Sequence, residues 1–186
     1  GTRGVLHEGK RTVCADLCNA VELPQQLSVK EPVVKGRVNM HVINSQLILP
    51  LTKATGLSFV GHVGGSDPDH FISHNWGGSF EGFLTAVQAH FKATYTDSED
   101  TEKSERKKED VFYWICTFAN NQHNAAAELG NSPETGPFAK AIETVKRKKG
   151  ETLAIQDDLL SPAASASFTL TRAWCVFEMA VTLEIG

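Results

Sequence analysis

Nine consecutive residues in this chain offer almost nothing to water: Val111-Phe112-Tyr113-Trp114-Ile115-Cys116-Thr117-Phe118-Ala119. Polar and apolar positions do not alternate in this run, so neither of its sides is built for solvent. Its aromatics and the β-branched Val111, Ile115 and Thr117 favour an extended backbone. An extended segment that is apolar on both sides belongs inside a parallel sheet covered by helices. The run therefore predicts a buried strand over 111–119. Its flanks are sharply different. Residues 97–110 (Asp-Ser-Glu-Asp-Thr-Glu-Lys-Ser-Glu-Arg-Lys-Lys-Glu-Asp) are nearly all charged and predict a mobile, solvated insertion. Asn120-Asn121-Gln122-His123-Asn124 stops the run on polar groups.

Helical and extended patterns alternate around that strand. Phe71 and Ile72 predict a short strand, with a polar, glycine-bearing loop over 73–79 after it. Phe80, Phe83, Leu84, Val87 and Phe91 recur at helical intervals and predict a helix over 79–93. Residues 124–129 and 138–148 predict helices, the second with a basic tail and Gly150 closing it. Leu153, Ala154 and Ile155 centre a strand over 151–156, and 170–183 predict a last helix capped by Thr169 or Thr171. Leu57–Val63 fits either a strand or a short helix. This order predicts an α/β fold, a parallel sheet flanked by helices. Upstream, 11–23 predicts a short helix, 25–37 irregular chain, and 40–51 a helix whose end Pro50 interrupts. Residues 1–56 are expected to be an N-terminal extension packed on a domain over 57–186.

Composition narrows the function. A net charge of −4 and a pI near 6.0, with no basic stripe, argue against nucleic-acid binding. No apolar run spans a bilayer, and no secretory signal is visible. The chain opens on Gly1 and stops within a helical pattern, as expected of a segment of a longer protein. Cys14, Cys18, Cys116 and Cys175 form no CxxC pair and no zinc spacing with histidine, so free thiols in a reducing, cytoplasmic setting are expected and no metal site is.

In a parallel sheet the loops at the carboxyl ends of the strands converge. Here they are 73–79, 120–124, and the stretch from Asp157 to the last helix. Together they form a polar cleft suited to a sugar or nucleotide. The loop at 73–79 with the following helix N-terminus is of the kind that holds an anion, although most glycine-bearing loops bind nothing. Trp174 and Glu178 are four residues apart and share a helix face. A carboxylate beside a large aromatic is partly desolvated, which raises its pKa toward a catalytically useful range. The plainer alternative is a core tryptophan and a solvated glutamate.

Three of these segments carry a family resemblance. Phe71-Ile72-Ser73-His74 resembles the first strand of Toll/interleukin-1 receptor (TIR) domains. Trp174-Cys175-Val176-Phe177-Glu178 resembles their Trp-x-x-x-Glu segment. Tyr113-Trp114-Ile115-Cys116, followed by Asn120-Asn121-Gln122, is similar to the second-strand motif of divergent TIR-like proteins of algae and other protists, and to the related fungal heterokaryon-incompatibility domains. The likeness covers roughly 57–186. It implies a flavodoxin-like sheet and, for some members, NAD⁺ glycohydrolase activity in signalling or defence. Glu178 would then be the catalytic carboxylate and Trp174 a wall of the site. Ser73, His74 and Trp76 would hold ribose or phosphate, and Asn120 and Gln122 the nucleoside. NAD⁺ would be substrate, with no further cofactor, and self-association would complete the site. Other TIR domains only assemble signalling complexes, a role in which Trp174 is core and Glu178 a fold or interface residue. A third alternative on a similar sheet is a nucleoside deoxyribosyltransferase with a glutamate nucleophile. Asn75-Trp76-Gly77-Gly78, the insertion at 97–110 and the first fifty residues depart from the TIR pattern.

Overall fold

The computed structural model describes residues 38–129, 133–156, 169 and 172–185. Strands β1 (His70–His74), β2 (Tyr113–Ile115) and β3 (Thr152–Ile155) form one parallel sheet in the order β2-β1-β3. His70, Phe71 and Ile72 pair with Tyr113, Trp114 and Ile115. On the other side Phe71 to His74 pair with Thr152 to Ile155. The helices are α1 (Met40–Ile43), α2 (Leu49–Thr52), α3 (Phe59–Val63), α4 (Phe80–Phe91), α5 (Thr101–Ser104), α6 (Cys116–Ala119), α7 (Ala125–Leu129), α8 (Pro137–Arg147) and α9 (Ala173–Ile185). No helix among the described residues is long and apolar enough to cross a membrane.

The chain crosses from β1 to β2 through α4, and back over β1 to β3 through α8. These steps run in opposite directions, so right-handed crossovers place the two helices on opposite faces of the sheet. The core divides in the same way. Ile72 and Ile115 meet Phe80, Phe83 and Val87 of α4 on one face. Phe71 meets Phe138, Ile142 and Val145 of α8 and Val181 of α9 on the other. Period-two alternation along β1 does this sorting: adjacent residues point to opposite layers. The structure is thus a parallel sheet of three strands between two helical layers.

Several expectations change in detail. The strand predicted over 111–119 is extended in the ladder only at Tyr113–Ile115, and Cys116–Ala119 turn into helix. An unbroken apolar run suits a buried helical turn as well as a buried strand, and here the turn puts Phe118 edge-on against Phe59 at 5.6 Å. Within 57–63, residues Phe59–Val63 form helix α3, started by the Ser58 hydroxyl accepting from Gly61 N–H. Pro50 does not stop its helix. A proline lacks the N–H and crowds the carbonyl four residues back. The turn widens ahead of it to a π segment, Asn44–Ile48, in which Leu49 N–H reaches the Asn44 carbonyl, and the helix continues to Thr52. Met40, Ile43 and Ile48 enter the same core cluster as Ile72 and Phe83, so this part of the segment expected as an extension is part of the domain's core. The charged stretch 97–110 is largely exposed, but it holds a capped helix and one anchor. Arg106 donates to the buried Asp69 at 3.1 and 3.3 Å and to the Asp110 carbonyl. The expected helix over 11–23, the irregular chain over 25–37, Cys14, Cys18 and most of the 157–171 stretch lie outside the described residues.

Asp69 closes the start of the sheet. Its carboxylate accepts from Phe112 N–H at 2.8 Å and pairs with Lys148 at 2.7 Å. Burial pushes its pKa up, but hydrogen bonds from Lys148, Arg106 and Phe112 outweigh that and hold it below the usual carboxylate range. Gly150 is needed here for space. The left-handed position after α8 is taken by Lys149 (φ 58°) rather than by the glycine. A Cβ on Gly150 would fall far inside contact distance of the Asp69 carbonyl oxygen. Gly150→Ala is therefore expected to destabilise by at least about 2 kcal/mol in urea unfolding, since backbone has to move to admit the methyl. A loss below about 0.5 kcal/mol, the range for an unconstrained surface site, would show that this close approach does not exist.

Candidate functional site

β2 and β3 lie on opposite sides of β1, so the strand order reverses there. Open parallel sheets bind ligands beyond the carboxyl ends of the strands at such a reversal. A cleft of about 250 Å³ opens at this point. Six of the residues singled out in the sequence line it: His74, Trp76, Asn120, Gln122, Trp174 and Glu178. Ser73 does not; it lies wholly buried on β1, on the face that packs against α9.

Glu178 enters the cleft from α9. Cys175, Glu178 and Val181 are the buried positions of that helix, spaced three apart on its inner face. A carboxylate thus stands where the helix pattern calls for an apolar residue, and only 4% of it is exposed. Burial raises its pKa to about 7, against the opposing pull of the Ser73 hydroxyl beside it. That hydroxyl is near enough to favour the ionised form but makes no full hydrogen bond. Ser73 Oγ and Glu178 Oε2 both lack a hydrogen-bond partner among the described residues. Buried polar atoms normally find one, so this pair stands out among the described residues.

The other walls are aromatic and amide. Trp174 is 44% exposed; it is no core residue but a side wall, stacked on Phe138 at 5.5 Å and edge-on to Phe177 at 5.9 Å. The plainer alternative for this pair, a core tryptophan with a solvated glutamate, is thereby reversed at both positions. Trp76 faces His41 edge-on at 5.3 Å and donates its indole N–H to Cys116 Sγ at 3.2 Å. Gln122 spends its amide nitrogen on the Cys116 and Asn120 carbonyls, at 3.0 and 3.2 Å. Asn120 is buried at the end of α6. His74 turns its ring onto Phe83 at 4.9 Å; burial lowers its pKa to about 4, so it stays neutral at physiological pH. Cys175 donates its thiol to the His74 carbonyl at 3.6 Å. Burial pushes the Cys116 thiol up to about 12 and the Cys175 thiol upward too, so neither supplies a thiolate nucleophile.

The structure offers little room for the anion expected at the 73–79 loop. Phe80 N–H donates to the Val38 carbonyl at 2.8 Å and Gly82 N–H to Ser79 Oγ at 3.2 Å, so two donors of the first turn of α4 are taken within the chain. The space beside it is about 10 Å³, room for one water and no phosphate. Two cleft residues went unnoticed in the sequence, His41 and Arg172. Arg172 had a signal, since it immediately precedes α9 and stands two residues before Trp174. His41 had none, because it lies far from every motif. Comparison with protein-family models, with curated proteins and with solved structures finds no match to this chain.

The buried carboxyl has a consequence for stability. Glu178 ordinarily titrates near 4.5 and in the fold near 7. Folding favours its protonated form, so its contribution is fully present below pH 4.5 and is lost as pH rises through 7. At 1.36 kcal/mol per unit the loss is ~3 kcal/mol. Glu178→Gln removes this dependence. Its stability relative to the original protein is expected to rise by ~3 kcal/mol between pH 4.5 and 8 in urea titrations. A difference constant with pH would mean that the carboxylate is solvated.

Proposed function

We propose that this chain is a flavodoxin-like, TIR-like domain that hydrolyses NAD⁺ and releases nicotinamide, with Glu178 as the catalytic carboxylate. The observation that carries this reading is Glu178 Oε2, without a hydrogen-bond partner among the described residues and buried in a cleft walled by two tryptophans at the reversal point of the sheet. The strand order β2-β1-β3 matches the start of the flavodoxin-like order and supports the fold assignment.

The chemistry suits these groups. Nicotinamide leaves NAD⁺ as a neutral molecule, so cleavage of its bond to ribose needs no acid. Positive charge develops on the ribose, and a carboxylate fixed in a dry site stabilises it. The Glu178 carboxylate then takes the proton of the incoming water. Trp76 and Trp174 offer aromatic faces to the nicotinamide ring. In this reading the cleft takes the nicotinamide-ribose half, and Arg172, which lines it, meets the diphosphate. No cofactor beyond the substrate is required, and the free thiols Cys116 and Cys175 suit a cytoplasmic, NAD⁺-containing setting.

A second reading rests on α9. Val176 (48% exposed) and Leu183 (80%) lie two turns apart on its outer side. This apolar strip supports self-association, and in an assembly module it would be the whole function. Nicotinamide release, measured on concentrated protein, separates the two. Glu178→Ala is expected to lower kcat by about 10²–10³-fold while the fold is kept. The rate should rise with pH through about 7, because the ionised carboxylate is the active form. Arg172→Ala should raise KM for NAD⁺ more than it lowers kcat. An associated, folded chain that releases no nicotinamide would support the assembly role instead.

A further inference from the structure

The amino end of β1 carries a second cluster, about 13 Å along the strand from His74. His70 of β1, His90 of α4 and Glu151, just ahead of β3, each place one ligand-type atom within 4.8 Å of the others. We propose that His70, His90 and Glu151 bind a first-row transition-metal dication of the zinc type, with one coordination position left open.

The two imidazoles are already oriented for the task. His90 Nδ1 lies 2.9 Å from the Tyr113 hydroxyl, which leaves Nε2 facing Glu151 Oε2 at 3.1 Å. His70 Nε2 lies 2.5 Å from the Tyr95 hydroxyl, which leaves Nδ1 toward Glu151. Each outer ring nitrogen is thus held by a tyrosine hydroxyl, the kind of outer contact that fixes the tautomer and angle of a ligating histidine. The rings are also packed in place: His70 meets His90 edge-on at 4.7 Å and stacks on Tyr113 at 5.2 Å.

Distances agree with a small contraction on binding. Around a tetrahedral zinc with bonds of about 2.1 Å, ligand atoms sit about 3.4 Å apart. The His90–Glu151 pair is already at 3.1 Å, and Glu151, with its side chain 57% exposed, is free to close on His70. A metal would displace three contacts: the His90 Nε2–Glu151 Oε2 hydrogen bond at 3.1 Å, and the longer ones from Glu151 N–H to His70 Nδ1 at 3.3 Å and between Thr94 Oγ1 and His90 Nε2 at 3.2 Å. Two imidazoles and one carboxylate form the donor set of zinc sites that keep a water in the fourth position. A cavity of about 360 Å³, lined by His70, Tyr95 and Glu151 among others, gives that water room. Binding would tie α4 to the starts of β1 and β3.

The test is calorimetric titration of the chelator-stripped full chain with zinc chloride, with thermal unfolding measured in parallel. One zinc per chain and a raised Tm are expected. Glu151→Gln and His90→Gln should each weaken binding by about a hundredfold or more and abolish the gain in Tm, and Tyr95→Phe should weaken it about tenfold. His62→Gln, at an exposed histidine elsewhere, should bind as the original protein does. Because Glu151 is exposed, its variant keeps the fold and decides the matter alone if His90→Gln does not fold. An original chain that binds no zinc, or a folded Glu151→Gln that binds it equally well, would overturn the proposal.

Discussion

Complete burial of β1 is the constraint on which the rest depends. A strand paired on both edges and covered on both faces has no side open to water, yet this one carries His70, Ser73 and His74. Each polar group on it has to find a partner inside the protein or remain without one. At the entry the problem is solved fully. Asp69 gathers Arg106 from the charged stretch and Lys148 from the end of α8, while His70 meets Tyr95 and the Glu151 backbone. Segments distant in sequence are drawn to this end because they carry the neutralising groups.

The exit of the strand is left unsolved. Ser73 Oγ, both ring nitrogens of His74 and Glu178 Oε2 have no hydrogen-bond partner among the described residues. Apolar residues of the same size would make that end more stable. The same strand therefore has a satisfied end and an expectant end. The expectant one coincides with the reversal of strand order, where a parallel sheet opens its crevice.

Legibility in the sequence followed the physics of each signal. The helix α4 was readable because five apolar residues recur at helical spacing, and β1 and β3 because short apolar runs sit between turn residues. The end of β2 was not, since an apolar run reports burial and leaves open whether the chain is extended or turned; packing of Phe118 on Phe59 decided it. Glu178 and Trp174 were readable as a pair because helix geometry converts a spacing of four into a shared face. Their burial was not, since spacing left open both a desolvated glutamate and the plainer core tryptophan with a solvated glutamate; the structure inverts only the plainer alternative. The glycine-bearing loop misled because an N–H offered to an anion is equally offered to a carbonyl, and Val38 supplies one. His70, His90 and Glu151 have no sequence spacing that signals a cluster, because three separate elements bring them together.

The most direct test of the account is the titration of Glu178 itself, followed by carbon NMR of the labelled side-chain carboxyl with the Glu178→Gln chain used for assignment. The account predicts a midpoint near pH 7, and a perturbation of that midpoint when NAD⁺ is added. A midpoint near 4.5, unmoved by NAD⁺, would show a solvated carboxylate and contradict the central claim.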